Sequence, residues 1–294
     1  MIFGEKRFTR QFIGGLAMNP ERHPTRKGYD SDVTDAEWDI IGPLLTETQA
    51  TTKGRPVEHD LRAVLNAIFY VNKTGCQWRS LPKDFPPHSV VFYHDTKWRK
   101  DGTLEIIHDV LRQLARKRAG RNPQPSGAII DSQSVKGTPE SRVESGFDGG
   151  KLIQGRKRHI VVDTMGYLII AVVHSAGIND GKAAPEVLEK LFQAADTIRK
   201  IWADSAYIGR ELHDWVLAQF QCVLEVVKKQ QGAKGFHVLP RRWVVERSFA
   251  WFSRARRLSK DYERDPNSSQ AQIYIASIRL LLRDLCDNQI AYAT

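Results

Sequence analysis

Two short apolar runs each lead into an aspartate, Ile129-Ile130 into Asp131 and Ile201-Trp202-Ala203 into Asp204. Read as strands, they place both carboxylates at strand ends, where open α/β sheets bind ligands. An aspartate there loses hydration unless a cation pairs with it. The alternative for either one is a capping or turn residue. A third acid, Glu246, stands alone among seven basic residues between Arg241 and Lys260. It is either the ion-pair partner of a neighbouring arginine or, on a helix packed beside the sheet, the third member of a carboxylate cluster. Three such carboxylates can hold two Mg²⁺ ions about 4 Å apart, with Mn²⁺ as a substitute, the arrangement used for in-line phosphoryl displacement. Mg²⁺ takes few carboxylates and otherwise keeps water or phosphate oxygens. The surrounding arginines would hold a nucleic-acid backbone, whose charge otherwise opposes approach to three acids.

The composition fits that chemistry. The 294 residues are 41% hydrophobic and 27% charged, and the net charge is +10. The length suggests about two domains, and the excess of positive charge suggests a polyanionic partner. Cys76, Cys222 and Cys286 are far apart, without the paired spacing of a zinc ribbon or a disulfide framework. The longest apolar run, Tyr167 to Val173, is far short of the roughly 20 residues of a membrane span. A cytoplasmic, nucleoid-associated protein is expected, with no membrane partner.

The elements that must position the three acids follow from the pattern. Residues 1–30 are basic and lack apolar periodicity, which predicts a poorly ordered tail that either grips phosphates or is solvated. Residues 31–119 read as four helices. Thr34 and Glu37 form a capping box for the first; Leu61, Val64, Leu65, Ile68 and Val71 line the second; Ser89 opens a third through Lys100; and Thr103 opens a fourth. Residues 120–127 read as a linker. From 128 to 294 the pattern predicts strands at 128–135, 158–165 and 167–174, a helix at 179–195, a strand at 198–203, a helix at 209–220, a strand at 222–227, a long helix at 241–260 and a last one at 268–287. Three consecutive strands followed by alternation make an α/β mixed sheet with flanking helices. That order matches a ribonuclease H-like core, preceded here by a small all-helical domain.

Other features leave choices open. Arg156, Lys157 and Arg158 enter a strand as a basic cluster, either a DNA contact or the charge that blunts a sheet edge. Arg242, Arg247, Arg254, Arg256 and Arg257 share one segment and read as phosphate contacts. The helices at 59–74 and 89–100 form either a helix-turn-helix, with Lys97, Arg99 and Lys100 on phosphates, or a dimerisation bundle. Residues 146–155 are glycine-rich without nucleotide-loop spacing, so no nucleotide cofactor is expected and a mobile loop is. His159 and His174 lack a ligand constellation and read as structural. Trp202, Trp243 and Trp251 read as packing, or as a stacking surface for a base.

These residues carry a resemblance. Asp-Val-Thr-Asp-Ala-Glu-Trp at 32–38, Leu-Asn-Ala-Ile-Phe-Tyr-Val at 65–71 and Gly-Cys-Gln-Trp-Arg-Ser-Leu-Pro-Lys-Asp-Phe-Pro-Pro at 75–87 are followed by Ile-Asp-Ser-Gln-Ser-Val-Lys at 130–136 and Gly-Arg-Lys-Arg-His-Ile-Val-Val-Asp at 155–163. Ile-Trp-Ala-Asp-Ser-Ala-Tyr at 201–207 and Leu-Pro-Arg-Arg-Trp-Val-Val-Glu-Arg-Ser-Phe-Ala-Trp at 239–251 complete the set. Over residues 29–287 the chain resembles a DDE transposase of bacterial insertion-sequence family five. The resemblance implies a catalytic, metal-binding triad of Asp131, Asp204 and Glu246. It also implies an end-binding domain at 31–119, a catalytic domain at 128–294, and a double-stranded DNA partner comprising element ends and target. A homodimer or higher synaptic complex is implied as well. The superfamily places an Arg and a Glu one helical turn apart, between a Tyr and a Lys. Arg242 and Glu246 keep that spacing, whereas Leu239 and Ser253 stand at the other two positions. Arg254 or Arg257 would then take over the Lys contact. The alternatives are a domesticated, non-catalytic DNA-binding protein and a metal-dependent nuclease without strand transfer.

Overall fold

The computed structural model describes residues 28–50, 59–227 and 241–286. The tail at 1–27, the glycines at 232 and 235 and Leu239 lie outside the described residues.

The first compact unit holds the described residues up to Pro123, together with Ala255–Arg257 and the described residues from Tyr274 to Cys286. Helix α1 spans Asp35–Ala50. It opens on the expected capping box, with the Thr34 amide donating to Glu37 Oε2 at 2.7 Å and the Glu37 amide to Thr34 Oγ1 at 3.2 Å. Helix α2, Leu61–Thr74, is capped by Asp60 and ended by Gly75 in the left-handed region. Helix α3 spans His88–Lys100 and starts one residue before Ser89, with Pro87 at its cap. Helix α4 spans Thr103–Arg118, and Asp101 rather than Thr103 takes up its first amide. Ile41, Leu44, Ile68, Val71, Ile107 and Leu111 are all buried, the stripes that the periodicity predicts. His108 is buried too, its ring 2.9 Å from the Ser277 hydroxyl. The C-terminal helix from Tyr274 therefore belongs with these four helices, which the sequence pattern alone does not reveal.

The second unit holds Gln124–Arg254 and Leu258–Ile273. Strands β1 (Gly127–Lys136), β2 (Gly146–Asp148), β3 (Ile153–Asp163) and β4 (Leu168–Ser175) precede helix α5 (Asp180–Ala194). Strand β5 (Lys200–Ala203), helix α6 (Arg210–Phe220), strand β6 (Val223–Val226), helix α7 (Arg242–Phe252) and helix α8 (Pro266–Cys286) follow. The sheet runs β4-β3-β1-β5-β6, with β2 pairing the start of β3. The first three of these strands are antiparallel neighbours and the last three are parallel ones. This curled mixed sheet with flanking helices is the ribonuclease H-like fold that the element order predicts.

The strand β2 replaces part of the expected mobile loop. It forms because Gly146 pairs Gly155, and a Cβ on Gly155 would collide with the backbone around Val135.

Period-two alternation assigns the two faces. Ile130, Ser132, Ser134, Lys157, His159 and Val161 share one face, with the apolar part packed on Val187, Leu188 and Leu191 of α5 and Val216 of α6. Ile129, Asp131, Arg156, Arg158 and Ile160 share the other. There α7 packs on β1 and β3 and buries Val244, Val245 and Ser248. The Ser248 hydroxyl donates to Gly166 O at 2.8 Å. Gly166 has φ +90°, and a Cβ there would also press on Arg247 and Ser248.

The long helix expected at 241–260 stops at Phe252. It closes on local bonds, the Ser253 amide donating to Phe249 O at 3.0 Å and the Arg254 amide to Trp251 O at 3.2 Å, and the chain beyond it is tied to β3 by side chains. Arg158 donates to Leu258 O and Lys260 O, and Arg156 to Glu263 O and Arg264 O. Asp261 is also stitched by backbone bonds to Lys136 and Thr138 at the end of β1.

Candidate active site

Asp131 lies in the middle of β1, not at its end. The parallel pairing with β5 ends at Ile129 and Trp202, so β1 runs past its neighbour and Asp131 stands beside the open end of β5. Its Oδ1 accepts from the Ser132 amide at 2.8 Å. Asp204 follows β5 directly and caps the single turn Ser205–Tyr207, its Oδ1 accepting from the Ala206 amide at 2.9 Å. Asp204 thus caps the turn through Oδ1, and its Oδ2 is left facing Arg242. Glu246 projects from α7 one turn after Arg242, and its side chain is 52% exposed.

The Arg242 guanidinium stands among them. Its Nη2 lies 3.4 Å from Asp131 Oδ2, 3.9 Å from Asp204 Oδ2 and 3.8 Å from Glu246 Oε1. Three acids from three separate elements therefore surround one cationic atom. Burial pushes the Asp131 carboxyl up to about 6, against the Ser132 amide and Arg242, which favour its ionised form; Asp204 adds a smaller push upward. Among the described residues no cluster of three or more acids, histidines or cysteines is close enough to share a metal ion. Here the acids face a guanidinium rather than one another. The donor set fits hard, oxygen-seeking divalent cations, and a cation reaching all three acids would take the place that Arg242 Nη2 holds.

Several expected phosphate contacts are corrected by burial. Arg156 and Arg158 are 0% and 4% exposed, and their guanidinium groups are spent on backbone carbonyls and, for Arg156, on an ion pair with Asp261 at 3.1 Å. Lys157 is buried on the opposite face, 2.7 Å from Asp180 Oδ1 and donating to Ile178 O. The strand is covered on both faces, so these charges brace the sheet and do not face solvent. Arg257 is buried and donates to Cys76 O at 3.2 Å. Arg247 donates to Met165 O and lies 4.6 Å from the ring centroids of Trp243 and Trp251. Arg254, Arg256 and Lys100 are exposed, and Lys97 and Arg99 half-buried. Trp202 packs under Lys200 and Arg241.

Two residues near the acids escape a reading of spacing alone. Tyr207 bonds His159 Nδ1 through its hydroxyl at 2.9 Å, and Asp180 lies 2.7 Å from Lys157 Nζ and 3.8 Å from His159 Nε2. The only sequence signal for Tyr207 is its place three residues after Asp204.

A family model described as the transposase DDE domain matches residues 122–282, more than half of the chain. The chain belongs to the DDE transposase family. A second model, a putative transposase of the IS4/5 family, matches residues 33–108 of this transposase. Its curated relatives include the putative transposase for insertion sequence element IS402 of Burkholderia cepacia. That relative is 30% identical over 146 residues, 47% of this chain and 66% of the relative. An uncharacterised 16.2 kDa protein of insertion element IS402 from the same organism is 32% identical over 108 residues, 35% of this chain and 72% of the relative. No solved structure matches the transposase. A DDE transposase is an enzyme that acts on DNA and depends on divalent metal. Among the described residues no helix is long and apolar enough to cross a membrane.

Proposed function

We propose that this transposase binds the terminal inverted repeats of its own insertion sequence, cuts each end to expose a 3′-hydroxyl, and joins that hydroxyl to target DNA by direct transesterification. The observation that carries the reading is the convergence of Asp131, Asp204 and Glu246 on one guanidinium nitrogen. In this reading the three acids hold Mg²⁺, or Mn²⁺ in its place, after Arg242 turns away. Two such ions would supply an activated water or 3′-hydroxyl and charge neutralisation on the leaving oxygen.

The chain's own residues do the positioning. The Ser132 amide fixes Asp131 through one oxygen and leaves the other toward the site, and the Ala206 amide does the same for Asp204. Arg242, released from the acids, becomes a phosphate contact on the same helix face as Glu246. Exposed Arg254, Arg256 and Lys100, with Lys97 and Arg99, contact the DNA backbone. Helices α2 and α3 within residues 31–119 form the end-binding part, and a homodimer brings two ends together.

A supercoiled plasmid carrying the gene's native flanks, incubated with the protein and Mg²⁺, tests the reading. The expected result is a set of metal-dependent 3′ ends at the repeat tips that then join to target. Asp131→Asn, Asp204→Asn and Glu246→Gln each abolish the cuts while keeping DNA binding. Wild-type cutting by all three variants overturns the triad. Cuts without joining identify a nuclease, and tight binding without cuts a non-catalytic DNA-binding protein.

A further inference from the structure

The ladder that aligns β1 with β5 registers its last pair at Ile129 and Trp202. Both aspartates lie beyond it, so ladder hydrogen bonds do not set the separation of Asp131 from Asp204. On the opposite face of the sheet a buried side-chain bond spans the same gap. Tyr207 ends the turn that Asp204 caps, and its amide donates to Asp204 O at 3.2 Å. Its hydroxyl meets His159 Nδ1 at 2.9 Å. His159 sits on β3 directly opposite Ser132, the residue after Asp131. Tyr207 and His159 are 1% and 0% exposed.

We infer that Tyr207 and His159 are positioning residues, a cross-tie that holds the Asp204 turn at a fixed distance from the strand bearing Asp131. This inference rests on the proposed metal-binding role of the two aspartates. The surroundings suit the task. Burial keeps His159 neutral, with a pKa near 3, and His174 beside it acts the same way. Burial and the nearby acids keep Tyr207 a phenol. A neutral imidazole offers Nδ1 as donor or acceptor, so the bond forms with either tautomer. Asp180 extends the tie, lying 3.8 Å from His159 Nε2 and 2.7 Å from Lys157 Nζ. The tie lies on the face of the sheet opposite Asp131 and is buried, so it acts through the aspartates and not on DNA. Groups that orient metal ligands in this way typically change metal affinity about 10–100-fold when removed.

The test is Mn²⁺ binding to the full chain without DNA, read by electron paramagnetic resonance of the free ion, alongside thermal melting, DNA binding and the Mg²⁺ dependence of cleavage. Tyr207→Phe keeps the ring and removes the hydroxyl. It is expected to weaken Mn²⁺ binding about tenfold and to raise the Mg²⁺ midpoint of cleavage in step, with DNA binding unchanged. His159→Gln, whose amide can still meet the hydroxyl, is expected to recover part of that loss. Asp131→Asn serves as the reference and is expected to lose Mn²⁺ at the site. If Asp131→Asn loses the ion and Tyr207→Phe binds it like wild type, the cross-tie is refuted and the aspartate site stands. If Asp131→Asn binds Mn²⁺ like wild type, the site reading itself falls, and the cross-tie with it. A lowered melting temperature with unchanged Mn²⁺ affinity assigns the pair a structural role and also overturns the inference. If Tyr207→Phe does not fold, His159→Leu, which leaves the hydroxyl no partner at that position, decides by the same criteria.

Discussion

Asp131 Oδ2 and Arg242 Nη2 lie 3.4 Å apart, yet the carboxyl is pushed up to about 6, not down. Burial of the aspartate outweighs a cation held at that length. The folded state therefore binds this proton more tightly than the unfolded chain, whose carboxyl titrates near 3.8. Stability from this group is fully present below pH 3.8 and is lost as the pH rises through 6.

Asp131→Asn removes that loss. In metal-free protein the variant gains on wild type as the pH rises from about 4 to 7, by up to about 3 kcal/mol. Urea unfolding of both proteins across that window measures the difference. A difference that stays constant with pH would show that Asp131 titrates as an ordinary carboxyl.

Arg242 supplies the positive charge among three acids, and its removal should be felt most when no other cation is present. Metal-free Arg242→Gln is expected to lose about 1 kcal/mol, the modest value of a partly exposed ion-pair group. Added Mn²⁺ should then raise its melting temperature more than that of wild type, because no guanidinium has to be displaced. Equal Mn²⁺ shifts in the two proteins would place the ion elsewhere.

The sequence and the structure part company where distant segments meet. Helix and strand periodicity marked the buried stripes, and the Thr34–Glu37 box marked the start of α1. The basic run Arg156-Lys157-Arg158 looks the same whether β3 is an edge or is covered. The cover comes from residues 258–264, a hundred positions along the chain, whose carbonyls Arg156 and Arg158 collect. Residues 258–264 are held against β3 by those bonds and do not extend α7, although the composition from 253 to 260 suits a helix. Asp131 read as a strand end because strand length and pairing length are the same in a sequence. In the sheet they differ, since β5 stops while β1 continues.

The Arg156–Asp261 pair gives a stability prediction of opposite character to any surface arginine. Both side chains have no solvent exposure. Arg156→Met and Asp261→Asn should each cost about 3–5 kcal/mol, the range for leaving one buried charge unpaired. Equilibrium unfolding in urea measures this. A loss below about 0.5 kcal/mol, as at an ordinary surface site, would mean that the pair is open to water in solution.

Arg254 is the contrasting case, exposed two residues after the end of α7. If it contacts a phosphate, Arg254→Ala removes one released counterion. The slope of log K against log salt for duplex DNA should then become shallower by about 0.9. Folding stability should stay within about 0.5 kcal/mol of wild type. Arg156→Met supplies the control: whatever it does to stability, its buried guanidinium releases no counterion, so its slope should match that of wild type. An unchanged slope in Arg254→Ala would remove this arginine from the DNA interface. A reduced slope in Arg156→Met would mean that the 258–264 segment moves aside and exposes β3 to DNA.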